Sequence, residues 1–436
     1  MTDLIIIGSG PGGYRAAAYA AQKGLSVVIV ESDKAGGTCL NAGCIPTKCL
    51  AHDAGIKDSD FTSAYERKEL VTTHLRQGVE QILSQPGITF IHGEAKFKDA
   101  HTIIVNGNEF EAENIIIATG SVAKLPPVPG IDNKRVITSD EALKLTSLPT
   151  EIVIIGAGVI GMEFASVFAR FGTKVTVIEY LKECLPMLDK DIAKRLRKSI
   201  EKQGVTFHMD SAVKEITETE VVFTANKNGT ETRLDCHDAP ILMATGRKPR
   251  LDTLDLDAAG VAYTSKGIVT DENMRTSQSN IFAIGDVTGK QMLAHAATFM
   301  GFRAVNRILG ISDTIRLDIM PSAIFTYPEA ATVGINEDQC KALDKECKCY
   351  KGYYRSNGKA LAENEPEGMV KIIADEDNHI IGCTAYGAHA ADIVQETTAF
   401  INRNSTISDI ACTIHIHPTV SEILQDACWG KDNSTK

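Results

Sequence analysis

The sequence lacks several features that would place the chain in a special class of protein. None of its apolar runs approaches the ~20 residues of a membrane-spanning helix, so we expect no transmembrane segment. The chain enters an apolar run at Leu4 without a basic stretch or cleavage site before it, so we expect no targeting leader. No linker or low-complexity segment interrupts it. These absences favour a globular protein that stays in the cytoplasm.

Positive charge is also scarce. The formal net charge is −11, which argues against nucleic acid as a partner because phosphate binding needs clustered Lys and Arg. The eleven cysteines are an odd number scattered over a long chain, which indicates a reducing compartment with mostly free thiols. Three of them are different, since Cys39, Cys44 and Cys49 fall within one short stretch.

The length of 436 residues exceeds what one hydrophobic core supports, so we expect two to four domains. Two segments carry the same order of strand, glycine turn, helix, strand and terminal acid. The first has a strand at 4–7, a turn at 8–13, a helix at 14–23, a strand at 25–30 and then Glu31. The second has a strand at 152–155, a turn at 156–161, a helix at 162–171, a strand at 175–178 and then Glu179. This unit opens a doubly wound parallel sheet, so the sequence predicts an α/β fold with two Rossmann-like dinucleotide-binding domains.

Further along the chain, other apolar runs predict the remaining strands of these two domains and of a third domain. The runs at 115–120 and 241–246 both read as buried strands that end in Thr-Gly, and each is placed to close one dinucleotide domain. A similar strand at 281–286 is expected to return the chain to the first sheet. From 317 the alternating segments 369–374 and 380–386, followed by a helical stretch at 390–402, predict a separate α+β domain with an antiparallel sheet.

Both glycine turns fit the pattern GxGxxG. The first glycine permits the tight turn, the second lets the backbone approach a pyrophosphate, and the third allows the helix to pack on the strand. The acid that follows is placed to accept hydrogen bonds from a ribose. At the second turn, a carboxylate at Glu179 would repel a 2′-phosphate, which favours NAD over NADP. The residues concerned are Gly8, Gly10, Gly13 and Glu31 in the first turn, and Gly156, Gly158, Gly161 and Glu179 in the second.

The stretch GGTCLNAGCIPTK at 36–48 carries the candidate redox chemistry. Four residues separate Cys39 from Cys44, and they include Asn41 and Gly43, which tolerate the tight geometry of a short disulfide ring. Pro46 fits the first turn of a helix, so Cys44 would lie near its amino end, where the pKa of a thiol falls. Two buried thiols beside a loop are the alternative, and we interpret Cys49 in that way.

These residues resemble those of the pyridine-nucleotide disulfide oxidoreductase family, and within it most closely the dihydrolipoamide dehydrogenases. The similarity runs from end to end. Its motifs are GGTCLNAGCIPTK at 36–48, ATGS at 118–121, GAGVIGMEF at 156–164, ATGRKP at 244–249, IGDV at 284–287, MLAH at 292–295 and HIHPTVSE at 415–422. The resemblance implies FAD and NAD as cofactors, a homodimer, and the oxidation of dihydrolipoyl groups with reduction of NAD⁺.

The resemblance also implies roles for individual residues. Cys39 would exchange with substrate, while Cys44 would face the flavin and make the charge-transfer or C4a contact. Lys48 would lie beside the flavin, paired with Glu163. His417, contributed across the dimer, would be the acid/base for the substrate thiols and would be oriented by Glu422; His415 is interpreted as structural. The remaining cofactor residues would be Gly37, Thr38, Ala95, Thr119, Gly120, Ser121, Asp286, Met292, Leu293, Ala294 and His295 for FAD, and Val213 and Gly246 for NAD.

We expect residues 1–121 and 249–316 to form the FAD-binding domain, 122–248 the NAD-binding domain and 317–436 the dimerisation domain. A lipoyl-bearing acyltransferase or a glycine-cleavage component is the implied partner. Two departures from the family pattern bear on the substrate: the segment 51–93 is short, and residues 296–300 lack acidic side chains. Two alternatives therefore stay open, an NAD(P)H-dependent reductase of another low-molecular-weight disulfide and a non-catalytic flavoprotein that senses NADH.

Overall fold

The computed structural model describes residues 1–429 and shows two units. The first unit comprises Met1–Leu125, Thr138–Ser147 and Gly246–Leu317. The second comprises Pro126–Ile137, Leu148–Thr245 and the described residues from Asp318 onward. Among residues 1–429 we find no helix whose length and apolar content would let it cross a membrane.

The strands, in chain order, are β1 (Thr2–Ile7), β2 (Val27–Glu31), β3 (Ile88–His92), β4 (Ala95–Phe97), β5 (Thr102–Val105), β6 (Asn108–Ile117), β7 (Ser121–Ala123), β8 (Val136–Ile137), β9 (Glu151–Ile155), β10 (Lys174–Ile178), β11 (Thr206–His208), β12 (Ser211–Ile216), β13 (Glu220–Ala225), β14 (Glu231–Asp235), β15 (Ile241–Met243), β16 (Arg247–Pro249), β17 (Tyr263–Thr264), β18 (Gly267–Ile268), β19 (Ile281–Ala283), β20 (Ser322–Ile324), β21 (Ala330–Gly334), β22 (Lys348–Tyr353), β23 (Met369–Ala374) and β24 (Ile380–Tyr386).

The α-helices are α1 (Pro11–Gln22), α2 (Gly37–Asn41), α3 (Cys44–Asp53), α4 (Phe61–Leu83), α5 (Ser139–Ala142), α6 (Val159–Arg170), α7 (Lys190–Lys202), α8 (Ala294–Ile308), α9 (Glu337–Ala342), α10 (Gly358–Ala362), α11 (Ala390–Asn402), α12 (Ile407–Cys412) and α13 (Glu422–Cys428). Two short 3-10 turns cover Gly285–Thr288 and Tyr354–Ser356.

The first unit is built on a parallel sheet in the order β3-β2-β1-β6, with β19 added beside β6. The strands β1 and β2 contain the apolar runs Leu4–Ile7 and Val27–Val30, as expected for strands that are covered on both faces. Ile5 and Ile115 are fully buried within its core. The return of the chain to this sheet through β19 confirms the prediction from the run at 281–286.

The helix after the first glycine turn starts earlier than the sequence predicted. We expected it to begin at Tyr14, whereas α1 begins at Pro11 and takes in Gly12 and Gly13. Proline suits the first helical position because its fixed φ matches the helix and it has no N–H to leave unpaired. The glycine motif is therefore partly the first turn of the helix itself.

The second unit contains its own parallel sheet, in the order β11-β10-β9-β15-β8, and an antiparallel sheet of β12, β13 and β14. Helix α6 follows the second turn, so both predicted dinucleotide folds are present. A five-stranded antiparallel sheet, β20-β21-β24-β23-β22, completes the unit, together with α11. The strands β23 and β24 and the helix α11 have the predicted bounds, and the fold class is confirmed.

Candidate active site

The first glycine turn connects β1 to α1 and leaves no room for side chains at two of its glycines. A Cβ on Gly13 would lie 1.9 Å from the carbonyl oxygen of Gly8, and one on Gly8 would lie 2.4 Å from the carbonyl oxygen of Ala118. Gly8 also has a φ of +103°, which only glycine adopts readily. The backbone at Gly10 forms the amino end of α1 and presents unpaired amides, as an anion site requires.

Glu31 ends β2 beside this turn and is buried at 9% exposure. Its carboxylate accepts hydrogen bonds from the backbone N–H and the hydroxyl of Ser9, both at 2.8 Å, and from the N–H of Asp33 at 3.0 Å. The acid therefore holds the turn and still has the position from which a ribose can be bound. Sequence reasoning found Glu31 but missed Ser9, whose contact spans 22 residues.

Cys39 and Cys44 lie on two consecutive short helices, α2 and α3. Their sulfurs are within hydrogen-bonding reach, close to the separation of a disulfide. The pKa of Cys39 is raised, first by its hydrogen bond with Cys44 and then by burial. Cys44 begins α3 and Pro46 occupies the first turn of that helix, as predicted. Cys49 is buried at 7% exposure on the same helix, which agrees with a structural role.

A hydrogen-bonded side chain braces the loop between the two cysteines. The Asn41 amide donates to the carbonyl oxygens of Ala35 and Gly37, both at 3.0 Å. Its own oxygen accepts a hydrogen bond of 3.2 Å from Nη1 of Arg76, which belongs to α4. The chain thus places one guanidinium against the loop that joins the two sulfurs. Nothing in the sequence pattern marked Arg76.

We expect Arg76→Gln to lower kcat roughly fivefold, since a hydrogen bond from a charged donor contributes about 1 kcal/mol or more. The loss should appear in kcat because the loop positions the sulfurs, and Arg76→Lys should restore part of it. In an Asn41→Ala background, Arg76→Gln should have no further effect on steady-state turnover. Fully additive losses would show that the two side chains act separately.

A partly buried group of polar side chains lies at the predicted ribityl site of FAD. The hydroxyl of Ser121 donates to the carboxylate of Asp286 at 2.6 Å, and Nε of Arg247 donates to the Ser121 hydroxyl at 2.7 Å. Burial raises the pKa of Asp286, and Ser121 and Arg247 oppose that shift. The group links the start of β7 and the 3-10 turn Gly285–Thr288 with β16. Ser121 and Asp286 were predicted, and Arg247 lies within the ATGRKP motif without having been singled out.

The other residues predicted for FAD lie at several element ends of the first unit. Gly37 and Thr38 start α2, Lys48 is half-buried in α3, and Ala95 is buried in β4. The Thr119 hydroxyl donates to the Arg250 carbonyl, and Gly120 has φ +72° and open space where a Cβ would point. Met292 and Leu293 precede α8, and Ala294 and His295 begin that helix. Gly246, predicted for NAD, belongs to the same unit, has φ +104° and also faces open space.

The second glycine turn repeats the geometry of the first. A Cβ on Gly161 would lie 1.9 Å from the carbonyl oxygen of Gly156, whereas one on Gly158 would meet no atom within 4 Å. Glu179 follows β10, is buried at 8% exposure, and accepts hydrogen bonds from the N–H groups of Ala157 and Leu181. The space beside Gly158 is therefore kept open by the fold, which fits a pyrophosphate resting against bare backbone.

Because Gly158 faces open space and Gly161 does not, alanine substitutions at these two glycines should have different effects. Gly158→Ala adds a methyl group that touches nothing in the chain, so the variant should fold, retain its flavin and show a KM for NAD⁺ raised roughly tenfold, about 1.4 kcal/mol. Gly161→Ala forces the same methyl group into a backbone carbonyl, so that variant should lose folded yield. Steady-state kinetics and thermal unfolding of the two proteins would check this. An unchanged KM in Gly158→Ala would contradict the proposed nucleotide position.

Two further predicted residues belong to the second unit. Glu163 is buried in α6 at 4% exposure, and its carboxylate accepts a hydrogen bond of 2.9 Å from the N–H of Phe325. Val213 is half-buried in β12, beside a bulge between Val213 and Glu215. The pairing of Lys48 with Glu163 joins residues of different units and stays a prediction.

His417 and Glu422 form a hydrogen-bonded pair. Nδ1 of His417 is 2.9 Å from Oε1 of Glu422, and the N–H of Thr419 donates to the other carboxylate oxygen at 2.8 Å. The Thr419 hydrogen bond and then His417 lower the pKa of Glu422, which keeps the carboxylate ionised. The His417 side chain is 80% exposed. An imidazole held at one nitrogen and open at the other can exchange protons with a substrate.

His415 has a different environment. Its Nε2 is 2.9 Å from a carboxylate oxygen of Glu396, its Nδ1 is 3.0 Å from the carbonyl of Thr413, and its side chain is only 4% exposed. Both ring nitrogens are engaged inside the protein, which agrees with the structural interpretation.

Comparisons with known proteins match nearly the whole chain. Residues 2–301 match the family described as pyridine nucleotide-disulphide oxidoreductase, and residues 320–428 match the dimerisation domain of the same family. The chain is 37% identical to dihydrolipoyl dehydrogenase 3 of Haloarcula marismortui, over 98% of this chain and 95% of that protein. It is 35% identical to dihydrolipoyl dehydrogenase of Bacillus subtilis, over 97% of each.

A solved structure gives the same result. The HOCl-induced flavoprotein disulfide reductase RclA from Escherichia coli superposes with a TM-score of 0.90 at 31% identity, covering 98% of this chain and 99% of that one. Members of the family use FAD and NAD(H), and the two glycine turns and the Ser121–Asp286 group suit these cofactors. With its paired Cys39 and Cys44, two dinucleotide folds and a dimerisation domain, the chain belongs to the pyridine nucleotide-disulphide oxidoreductase family.

Proposed function

We propose that the chain is a dihydrolipoyl dehydrogenase, which oxidises dihydrolipoyl groups to lipoyl groups and reduces NAD⁺ to NADH. The observation that carries the proposal is the placement of the Cys39 and Cys44 sulfurs together at the amino end of α3. Relatives that bear this name share more than a third of their residues with the chain over almost its full length.

The sulfur chemistry follows from this placement. A thiolate of the dihydrolipoyl group attacks Cys39 of the oxidised pair, and Cys44 leaves as a thiolate. The second substrate thiol then attacks the mixed disulfide, which releases the cyclic lipoyl disulfide and leaves Cys39 as a thiol. Cys44 is the better leaving group because the amino end of a helix favours negative charge. The enzyme has gained the two electrons that the substrate has lost.

FAD, when bound, supplies the conversion between an electron pair on sulfur and the hydride that a nicotinamide accepts. The chain's part is to hold it. The first glycine turn offers amides to the diphosphate, and the Asp286 carboxylate, fixed by Ser121 and Arg247, is placed for a ribityl hydroxyl. At the second turn the Glu179 carboxylate favours NAD over NADP.

Proton transfer requires a base near the substrate thiols, and we assign it to His417, oriented by Glu422. We propose a homodimer in which His417 of the partner subunit completes each active site. The exposed segment around His417 supports this, because Ile414 is 94% exposed and Ile416 is 80% exposed. Apolar side chains this open at a dimerisation domain are expected to be covered by a second copy.

We also propose the domain bounds, the partner and the location of the protein. The FAD domain comprises residues 1–121 and 249–316, the NAD domain 122–248 and the dimerisation domain 317–436. The partner is a lipoyl-bearing acyltransferase or a glycine-cleavage component, since either presents the dithiol. The location is cytoplasmic, which the scattered thiols favour.

A second candidate is favoured by the structural match to a flavoprotein disulfide reductase. In this alternative the chain uses NADH or NADPH to reduce another low-molecular-weight disulfide at the same pair of cysteines. The short 51–93 segment is where a different substrate would be accommodated.

Steady-state assays of the holoenzyme separate the candidates. We expect rapid NADH formation from dihydrolipoamide and NAD⁺, weak activity with NADP⁺, and no NADPH-driven reduction of glutathione disulfide. Activity confined to the glutathione assay would overturn the proposal in favour of the second candidate. Bleaching of the flavin by NADH without turnover in either assay would leave an NADH-sensing flavoprotein.

A further inference from the structure

A disulfide lies far along the sequence from Cys39 and Cys44, joining Cys340 to Cys347. Cys340 is buried in α9 at 3% exposure, while Cys347 is half-buried just before β22. The six residues between them are all exposed. The loop between the two cysteines is thus open to solvent, and Cys347 is the less buried of the two. Exposed disulfides exchange more readily than buried ones, so attack by an external thiol is expected at Cys347.

A third cysteine, Cys349, follows Cys347 by two residues in the sequence and is not part of the disulfide. Sγ of Cys349 is 3.8 Å from a carboxylate oxygen of Glu337, and burial followed by that negative charge raises its pKa to about 11. Only a thiolate attacks a disulfide, so the raised pKa disfavours attack by Cys349 at neutral pH. A thiol from outside the chain is therefore the reductant that we consider for Cys340–Cys347.

Helix α9 contains Cys340 of this disulfide and is hydrogen-bonded to the segment that leads into α7. The side-chain amide of Asn336 donates to the carbonyl of Met187 at 3.2 Å. The carboxylate of Asp338 accepts from the N–H of Lys190 at 2.8 Å. These two hydrogen bonds connect the start of α9 with residues 187–190.

A buried lysine strengthens the same junction. Nζ of Lys371 is 2.9 Å from Glu337 of α9 and 2.6 Å from Asp191 of α7, and its side chain is 2% exposed. Burial alone would lower the pKa of Lys371, but the bonds to Asp191 and Glu337 raise it. The ammonium therefore stays charged and needs both carboxylates in place. A shift of α9 would pull one of them away.

The segment held by α9 continues to the second glycine turn. Leu185 is fully buried, and its N–H donates to the carbonyl of Ala157 within that turn at 3.1 Å. The N–H of Ala157 in turn donates to the carboxylate of Glu179. An unbroken series of contacts within the second unit thus connects the disulfide with the predicted NAD site.

We propose that Cys340–Cys347 is a second, regulatory redox site, reduced by dithiols of the class that the enzyme oxidises, and that its reduction weakens NAD binding at the second glycine turn. The disulfide fixes the carboxyl end of α9 to the start of β22. Reduction releases that end, so that Glu337, Asn336 and Asp338 hold the 187–191 segment less firmly. The choice of a dihydrolipoyl group as reductant rests on the proposed function.

The reaction is an ordinary thiol–disulfide exchange. A thiolate of the dithiol attacks Sγ of Cys347, the more accessible sulfur, and Cys340 leaves and takes up a proton. The second thiol of the reagent then attacks the mixed disulfide, which closes the reagent into a cyclic disulfide and releases Cys347 as a thiol. The reagent loses two electrons and two protons, and Cys340 and Cys347 gain them.

Differential alkylation of the holoenzyme with peptide mass spectrometry tests the site. Without reductant, Cys340 and Cys347 should resist labelling; after anaerobic dihydrolipoamide, without NAD⁺, both should be labelled together. Labelling of both before reduction would overturn the proposal, as would protection that persists while Cys39 and Cys44 are labelled. A parallel sample with dithiothreitol separates the two hypotheses. If only dithiothreitol reduces the bond and dihydrolipoamide is no substrate, the proposed function fails while the redox site stands.

Calorimetric binding of NAD⁺ tests the consequence. The variant Cys340→Ser/Cys347→Ser should bind NAD⁺ about fivefold more weakly than the oxidised enzyme. Cys412→Ser removes an exposed thiol of the same unit outside α9 and should change nothing. Because the double variant could be destabilised, the same comparison is made without touching the bond, in a Cys39→Ser/Cys44→Ser protein before and after dithiothreitol. Equal affinities in the oxidised and reduced states would overturn the regulatory role.

Discussion

Cys44→Ser is expected to lower dihydrolipoamide-dependent NAD⁺ reduction by at least about a thousandfold, as removal of a reacting nucleophile typically does. A serine hydroxyl neither forms a disulfide with Cys39 nor ionises near neutral pH. FAD should remain bound, because the residues that we assign to it lie in the first glycine turn and in the Ser121–Asp286 group. Steady-state kinetics and the visible absorbance of the purified variant measure both effects.

Cys49→Ser is the matched control for this substitution. Cys49 lies on the same helix and is buried, but burial raises the pKa of its thiol and it is not part of the close pair. We expect this variant to keep kcat within about twofold of the wild type, with some loss of stability from a buried hydroxyl. Full activity in Cys44→Ser, or equal losses in both variants, would show that the electrons do not pass through Cys39 and Cys44.

His417→Gln is expected to lower kcat by about 10²–10⁴-fold, the usual contribution of a positioned acid/base. Glutamine can still form a hydrogen bond with Glu422, so the local fold should persist while the proton acceptor is lost. The measurement is steady-state kcat for dihydrolipoamide oxidation by both proteins at the same pH.

Substitutions of Glu422 and His415 serve as comparisons for His417→Gln. Glu422→Gln should cost roughly tenfold, because the amide keeps one hydrogen bond but loses the charge that the Thr419 N–H and His417 stabilise. His415→Gln should leave kcat within a few-fold, since His415 is enclosed between Glu396 and Thr413. A larger loss in His415→Gln than in His417→Gln would reverse the assignment of the two histidines.

The parts of the fold that the sequence predicted best are those with a strong local pattern. Strands β23 and β24 alternate or run apolar between clear turns, and α11 has a helical period, so their bounds were predicted correctly. The start of α1 was missed by three residues, because the glycines that read as a turn also supply its first helical turn. Local sequence marks the existence of an element more reliably than its ends.

The side chains that support the site were harder to predict. Arg76 meets Asn41 across 35 residues, and Arg247 meets Ser121 across 126. Such contacts depend on tertiary folding, and no short motif carries them. The glycines and cysteines were found because backbone conformation and thiol spacing restrict them locally.

The Cys340–Cys347 disulfide was not anticipated either. An odd number of cysteines spread over the chain favoured free thiols, and connectivity does not follow from spacing alone. The bond forms because the turn after α9 brings its last residues back to the start of β22.

In the proposed mechanism the electrons pass through the Cys39–Cys44 pair between the dithiol and the nicotinamide. The most direct test is anaerobic reduction of the holoenzyme with NADH, followed by alkylation and mass spectrometry of each cysteine. We expect Cys39 and Cys44 to change together from protected to labelled, while Cys49 does not change. Reduction of the flavin by NADH with Cys39 and Cys44 still protected, or already labelled beforehand, would contradict it.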